Sequence, residues 1–330
     1  MKDTIQMIHG SGGRATGELI ADVFAKEFDN DVLNQMEDSA LVPGAGRIAI
    51  TTDSFVVTPV EFRGGDIGRL SICGTVNDLL MRGAVPKYIT CGAILEEGAS
   101  IEVLKRVIHS MAQTALEADV RIVAGDTKVI EGHGGIYINT AGVGFVKKDV
   151  DISAENAKAG DVLLVSGTMG DHHAAILGER MGIENEIASD CAPLVDMVGN
   201  LLGAGIEVHT LRDVTRGGLA TVLKELATAS GREFVVEDEN IPVTPAVRDF
   251  CGMLGLDPLY MGNEGKLVAI VPEAQASDAI EIIRNSRYGA DACAIGRVTD
   301  GEPGRVLAKT AIGGERILDV LEGEGLPRIC

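Results

Sequence analysis

The apolar positions of this chain fall into short runs separated by polar and glycine-rich breaks. Residues 47–57, rich in Ile, Val and Thr, read as a strand. Asp66 stands where it can cap a helix running to about residue 82, which Gly83 and Pro86 end. Residues 87–95 read as a strand, and Ser100 caps a strongly periodic helix through about 117. Two further strands are expected over 121–124 and 135–146, and a short amphipathic stretch over 16–28. The polar segment 149–160 breaks the pattern and marks a domain boundary. Beyond it an apolar strand over 161–166 precedes helices near 171–181, 193–204, 218–229, 244–254 and 273–285, with strands near 233–237, 266–271 and 290–298. Strands and helices mix without a clean βαβ repeat, so two α+β domains are expected rather than a doubly wound sheet. The expected divisions are a glycine-rich loop and lead-in over 1–35, a first domain over 36–148, a second over 149–317 and a tail over 318–330.

Charge narrows the partners. Twenty-nine basic against 49 acidic residues give a net charge of −20, which repels phosphate backbones, and 3% aromatic residues with no Trp leave few stacking platforms. No nucleic-acid partner is expected. No run of about 18 apolar residues is present, and the first residues lack the apolar core of a secretory signal, so no membrane partner is expected either. The six cysteines are scattered with no C-x-x-C pair, which argues against a disulfide framework or a zinc ribbon. A reducing cytoplasm is the expected setting. The six histidines show no metal-ligand spacing.

The candidate chemistry lies in acidic residues that interrupt apolar segments. Asp38, Asp53, Asp78 and Asp126 stand in similar local contexts. Each alone is an ordinary turn or helix residue. Together they form a candidate cluster, and carboxylates packed together call for a hard cation, Mg²⁺ where phosphates supply the remaining ligands. No Walker-type loop is present, but Gly10, Gly12 and Gly13 allow backbone N–H groups to approach phosphates, or form a plain linker. Asp213 and Thr215 precede a helix whose N-terminus favours anions. Asn263-Glu264-Gly265 precedes a strand, and Lys128 follows Asp126 closely enough to share its site. The last residue is Cys330, behind a glycine-rich stretch. About 12 residues of tail extend to about 40 Å, enough for its thiol to carry a group across a domain.

In this order, His9-Gly10-Ser11-Gly12-Gly13, Thr52-Asp53-Ser54-Phe55, Gly64-Gly65-Asp66-Ile67-Gly68, Gly74-Thr75-Val76-Asn77-Asp78-Leu79, Gly125-Asp126-Thr127-Lys128, Asp213-Val214-Thr215-Arg216-Gly217-Gly218 and Asn263-Glu264-Gly265 resemble the HypE family of hydrogenase maturation proteins. That family lies within the ATP-binding, PurM-like superfamily of aminoimidazole ribonucleotide synthetase and selenophosphate synthetase. The ending Pro327-Arg328-Ile329-Cys330 is the discriminating feature, and residues 9–14 lack the reactive cysteine of selenophosphate synthetases. The resemblance implies a two-domain α+β fold of the PurM-like type and a homodimer formed through the first domain. It implies that a HypF-type partner loads a carbamoyl group onto Cys330. ATP then drives its dehydration to an S-cyano group, which passes to iron on a HypC–HypD complex. ATP would be held by Gly10, Gly12, Gly13, Asp53, Asp126 and Thr127, and Mg²⁺ by Asp38, Asp53, Asp78 and Asp126. Cys330, Lys128, Glu264, Asn77 and Asp213 would carry the chemistry, with Lys128 or Glu264 as the base. Two rivals remain at this stage: a small-molecule kinase or synthetase of the same superfamily, which has no need of Cys330, and a non-catalytic thiol carrier, which has no need of ATP turnover.

Overall fold

The computed structural model describes residues 4–10, 18–33, 44, 46–310 and 312–320. Its first half is built on a four-stranded sheet in the order β1 (Ile48–Phe55), β6 (Ile136–Val146), β4 (Ala84–Glu96) and β5 (Arg121–Ile130). Helix α1 (Ile67–Leu80) begins at Asp66, whose carboxylate accepts the Arg69 N–H at 2.8 Å. Helix α2 (Ile101–Glu117) begins at Ser100, whose hydroxyl accepts the Val103 N–H at 3.4 Å. These side chains satisfy N–H groups that the first helical turn leaves unpaired. β4 and β5 run parallel, which requires a crossover, and α2 supplies it. α1 is buried almost all round, including Leu70, Ile72, Cys73, Val76 and Leu79. It lies against the sheet and under the second half of the chain. A two-stranded ribbon, β2 (Glu61–Phe62) and β3 (Gly65–Asp66), leads into it.

β5 is longer than the 121–124 expected. It pairs with β4 from Tyr88–Arg121 to Glu96–Ile130, so tertiary pairing carries the strand through the polar Gly125-Asp126-Thr127-Lys128. Over the expected amphipathic stretch a short helical turn, Ile20–Ala25, buries Val23 and Phe24.

The second half carries a seven-stranded sheet in the order β13 (Glu315–Leu318), β12 (Val306–Lys309), β9 (Glu233–Glu237), β11 (Cys293–Thr299), β7 (Val162–Val165), β10 (Leu267–Val271), β8 (Thr210–Asp213). Helices α3 (Asp171–Met181), α4 (Val195–Gly203), α5 (Gly218–Ser230), α6 (Pro245–Leu254) and α7 (Ala276–Asn285) pack around it. β7 and β10 are apolar throughout because both their faces are covered. Leu164, Leu267, Ala269 and Val271 join a core shared with α1, α4 and α7, whereas Leu163, Val165, Val268 and Ile270 join a second core under α5. The shared core seats the two halves on each other, with α1 at the seam. Among the described residues no helix is long and apolar enough to cross a membrane. Mixed helices and sheets in two halves give the α+β class.

Candidate functional site

The seam between the two halves gathers acidic side chains from both. On β1, Thr51, Asp53 and Phe55 face α1 while Ile48, Ile50, Thr52 and Ser54 face outward. Asp78 lies in the last turn of α1, and the Thr51 hydroxyl donates to its Oδ2 at 2.7 Å. Asp53 Oδ1 accepts the Ser54 N–H at 2.8 Å. Asp213 closes β8, paired with Leu267 of β10. Glu264 sits just before β10 and is buried.

Burial and neighbouring charge raise three of these carboxyls, Asp78, Asp213 and Glu264. Burial pushes the Asp78 carboxyl above its usual range, and the charge of Asp53 adds to the effect against Thr51, Arg216 and Arg212. Asp213 is pushed up to about 7, first by burial and then by Asp78 and Asp53. Glu264 is raised well above the carboxylate range by burial, then by Cys191, Asp213, Asp190 and Asp53. A cavity of about 580 Å³ opens on Asp78 and Asp213, lined also by Arg212, Arg216 and, from the chain after β13, Val320. Lys224 of α5 pairs with Asp319 at 3.5 Å and holds that segment at the cavity. Gly217 precedes α5 with no side-chain cap; the Gly218 N–H donates to the Thr215 carbonyl at 3.1 Å, which leaves the N–H groups that follow it to an anion.

Asn77 was expected to orient a reacting group; its amide instead holds the seam. Its Nδ2 donates to the Ala192 carbonyl at 3.0 Å, and its Oδ1 accepts the Leu194 N–H at 2.9 Å. The loop it holds also receives the Glu264 backbone, whose N–H donates to Asp190 Oδ1 at 3.0 Å.

Asp126, Thr127 and Lys128 stand elsewhere. They lie on β5, at the opposite edge of the sheet from β1, about 14 Å away across three strand spacings. The register aligns Asp126 with Gly92, Asn139 and Ser54, so Asp126 shares the outward face, whereas Asp53 points to α1. The expected four-aspartate cluster therefore does not form within one chain. Among the described residues, no group of three or more His, Cys, Asp or Glu side chains is arranged to hold a metal ion by itself. Lys128 pairs with Asp126 at 3.0 Å, and both side chains are about two-thirds exposed, 66% and 68%. The lysine holds the Asp126 carboxyl below its usual range. Burial, the condition for a lysine base, is missing at Lys128. Gly10 ends a short 3-10 turn, Met7–Gly10. Gly12, Gly13, Asp38 and Cys330 lie outside the described residues.

Comparison with known proteins places this site in a family. The model of the AIR synthase related protein N-terminal domain matches residues 36–146, and that of the C-terminal domain matches 158–309. The carbamoyl dehydratase HypE of Cupriavidus necator is 48% identical over 332 residues, covering 99% of this chain and 95% of that protein. The chain belongs to the HypE family. A HypE solved in complex with ATP superimposes with a TM-score of 0.96 at 45% identity, over 99% of this chain and 100% of that one. A HypE solved in a complex with HypF superimposes with a TM-score of 0.81 at 45% identity, over 92% of this chain and 99% of that one. The HypE family is one of hydrogenase maturation enzymes, and the two PurM-like halves of its fold are those described above.

Two buried charged residues next to Glu264 escaped the sequence reading. Asp190 lies in an irregular loop with no periodic signal. Lys266 immediately precedes the apolar β10, and a lone charge at the edge of such a strand was the available signal.

Proposed function

We propose that the protein is an ATP-dependent carbamoyl dehydratase acting on a carbamoyl group carried by the thiol of Cys330. The observation that carries this reading is the place of Val320. It lines the same cavity as Asp78 and Asp213, and ten residues of sequence separate it from Cys330. That length spans at most about 35 Å, ample to bring the thiol back to the carboxyl group.

The chemistry follows from the leaving group. Hydroxide leaves an amide carbon poorly, whereas phosphate leaves well. The carbamoyl oxygen attacks the γ-phosphorus of ATP, and the bond to ADP breaks. The C–O bond then breaks as phosphate departs, and the nitrogen loses both protons to leave S–C≡N. Glu264 accepts one of them, and the departing phosphate carries the other. Its burial raises its proton affinity, which strengthens it as a base once ionised. Lys128, exposed and paired, lacks that tuning within the chain. Asp213 stands beside Glu264 and takes part in holding the departing proton, and Asn77 keeps the loop behind Glu264 in place. Arg212, Arg216 and the start of α5 face the phosphates.

Mg²⁺ fits this site in one respect: the charge of Asp53 opposes the ionisation of Asp78, and Arg212 and Arg216 nearby do not cancel the rise. These two would hold the ion, with Asp38 as the further expected ligand and nucleotide oxygens completing the shell. When bound, it offsets the charge of the phosphates.

A homodimer accounts for Asp126, Thr127 and Lys128. The outward face of the four-stranded sheet exposes Ile48, Ile50, Val85, Ile94 and Ile130, with Ile50 74% exposed. Asp126 and Lys128 share that face, so a second copy seated there buries the apolar patch and brings these residues to a neighbouring site. A HypF-type protein is the carbamoyl donor, a HypC–HypD complex the acceptor of the cyano group, and the cytoplasm the setting.

Intact mass tests the function. Incubation with ATP, a carbamoyl donor and the HypF-type partner gives a carbamoylated chain that then loses water only when ATP is present. A small-molecule synthetase proceeds without Cys330, and a passive carrier stops at the carbamoylated mass; either result overturns the reading.

A further inference from the structure

We propose that Asp190, braced by Lys266, is the positioning residue that fixes Glu264 where it accepts the proton, an inference that rests on the function given above. Both flanks of the Glu264 backbone are set by the loop containing Asp190. The Glu264 N–H donates to Asp190 Oδ1 at 3.0 Å, and its carbonyl accepts the Ala192 N–H at 3.3 Å. At Gly265 a Cβ would overlap the Asp190 carbonyl oxygen and lie 2.9 Å from the Ala192 nitrogen. Only glycine lets the two segments approach this closely, so any shift of residues 190–192 moves Glu264.

The loop is itself held from behind. The Ser189 N–H donates to the Arg63 carbonyl at 2.8 Å, and the Ser189 hydroxyl pairs with His172 Nδ1 at 2.7 Å and accepts the Cys191 N–H at 3.1 Å. Asn77 clamps its far end. Within this frame Asp190 is a buried carboxylate, 5% exposed. Its Oδ2 makes no hydrogen bond and faces Lys266 Nζ at 3.5 Å, itself 10% exposed. A half-satisfied charge in the interior is costly, and a neutral acceptor would hold the Glu264 N–H more cheaply. The cost is intelligible if the pair is used: Lys266 orients Asp190, and Asp190 orients Glu264.

The test is single-turnover dehydration from protein already carbamoylated. Asp190→Ala removes the acceptor of the Glu264 N–H. A displacement near 1 Å at a reacting group costs on the order of 100-fold in rate, and that fall is expected in kcat with the KM for ATP and the carbamoyl loading unchanged. Asp190→Asn keeps an acceptor oxygen and restores the rate to within about tenfold of wild type. A wild-type rate in Asp190→Ala, or no rescue by Asp190→Asn, overturns the proposal. Should Asp190→Ala fail to fold, Lys266→Met carries the test: a fall of about tenfold in kcat at constant KM supports it, and an unchanged kcat overturns it. Glu264→Gln separates this inference from the function beneath it. Dehydration surviving in Glu264→Gln removes the base itself, whereas its loss beside a normal Asp190→Ala removes only the role of Asp190.

Discussion

Asp213→Asn tests the electrostatics of the site without any partner protein. In the wild type the Asp213 carboxyl, 3.8 in its ordinary state, is pushed up to about 7 by burial and by Asp78 and Asp53. Full ionisation of such a group in the folded state works against folding by about 4 kcal/mol, at about 1.4 kcal/mol for each pH unit of displacement. Asp213 is half-buried at a cavity mouth, so water screens part of this and about 1–3 kcal/mol is expected. The sign follows from proton counts. Between about pH 4 and 7 the folded chain holds a proton that the unfolded chain has released, so stability falls as pH rises through that window and levels off above it. Asparagine carries no such proton. Urea unfolding of the nucleotide-free protein at a series of pH values reads the difference directly. The variant gains on the wild type as pH rises, reaching about 1–3 kcal/mol of extra stability by about pH 8. Parallel stability curves for the two proteins, or a variant less stable at the alkaline end, would refute the carboxyl repulsion on which the site is argued.

Gly265→Ala forces backbone apart at the Asp190 carbonyl, so a loss of about 1–3 kcal/mol in urea unfolding is expected together with a larger loss of dehydration rate; a neutral effect on both contradicts the close approach. Ile50→Asp places a charge in the exposed apolar face of the four-stranded sheet, and sedimentation should show the protein shift from dimer to monomer. An unchanged dimer would put the interface elsewhere. Binding of the magnesium nucleotide at about pH 6.5 should release protons from Asp213, whose carboxyl is pushed up to about 7. Calorimetry in buffers of different ionisation heat counts them, and proton uptake would contradict the assignment.

Local chemistry made several elements readable in advance. Asp66 and Ser100 cap their helices as their side chains allow, and the apolar runs of β7 and β10 mark strands covered on both faces. Other features depend on contacts that sequence spacing does not encode. β8, β12 and β13 are four residues each; β8 and β12 exist through pairing with longer neighbours, and β13 through pairing with β12. β5 continues past its apolar residues because β4 continues beside it. The pairing of Asp53 with Asp78 was legible as two acidic residues breaking apolar segments. The exclusion of Asp126 was not, because Asp53 and Asp126 follow similar runs yet point to opposite faces of one sheet, and only register decides that. Glu264 was visible as a charge between Asn263 and Gly265. The loop that holds it, with Asp190 at its centre, has no periodic pattern to announce it.

Tracing one oxygen atom tests the central claim most directly. With the carbamoyl group on Cys330 labelled with heavy oxygen, the account predicts that the label leaves in inorganic phosphate as the S-cyano group forms. Label released into water, or retained on the protein after ATP is spent, would contradict it.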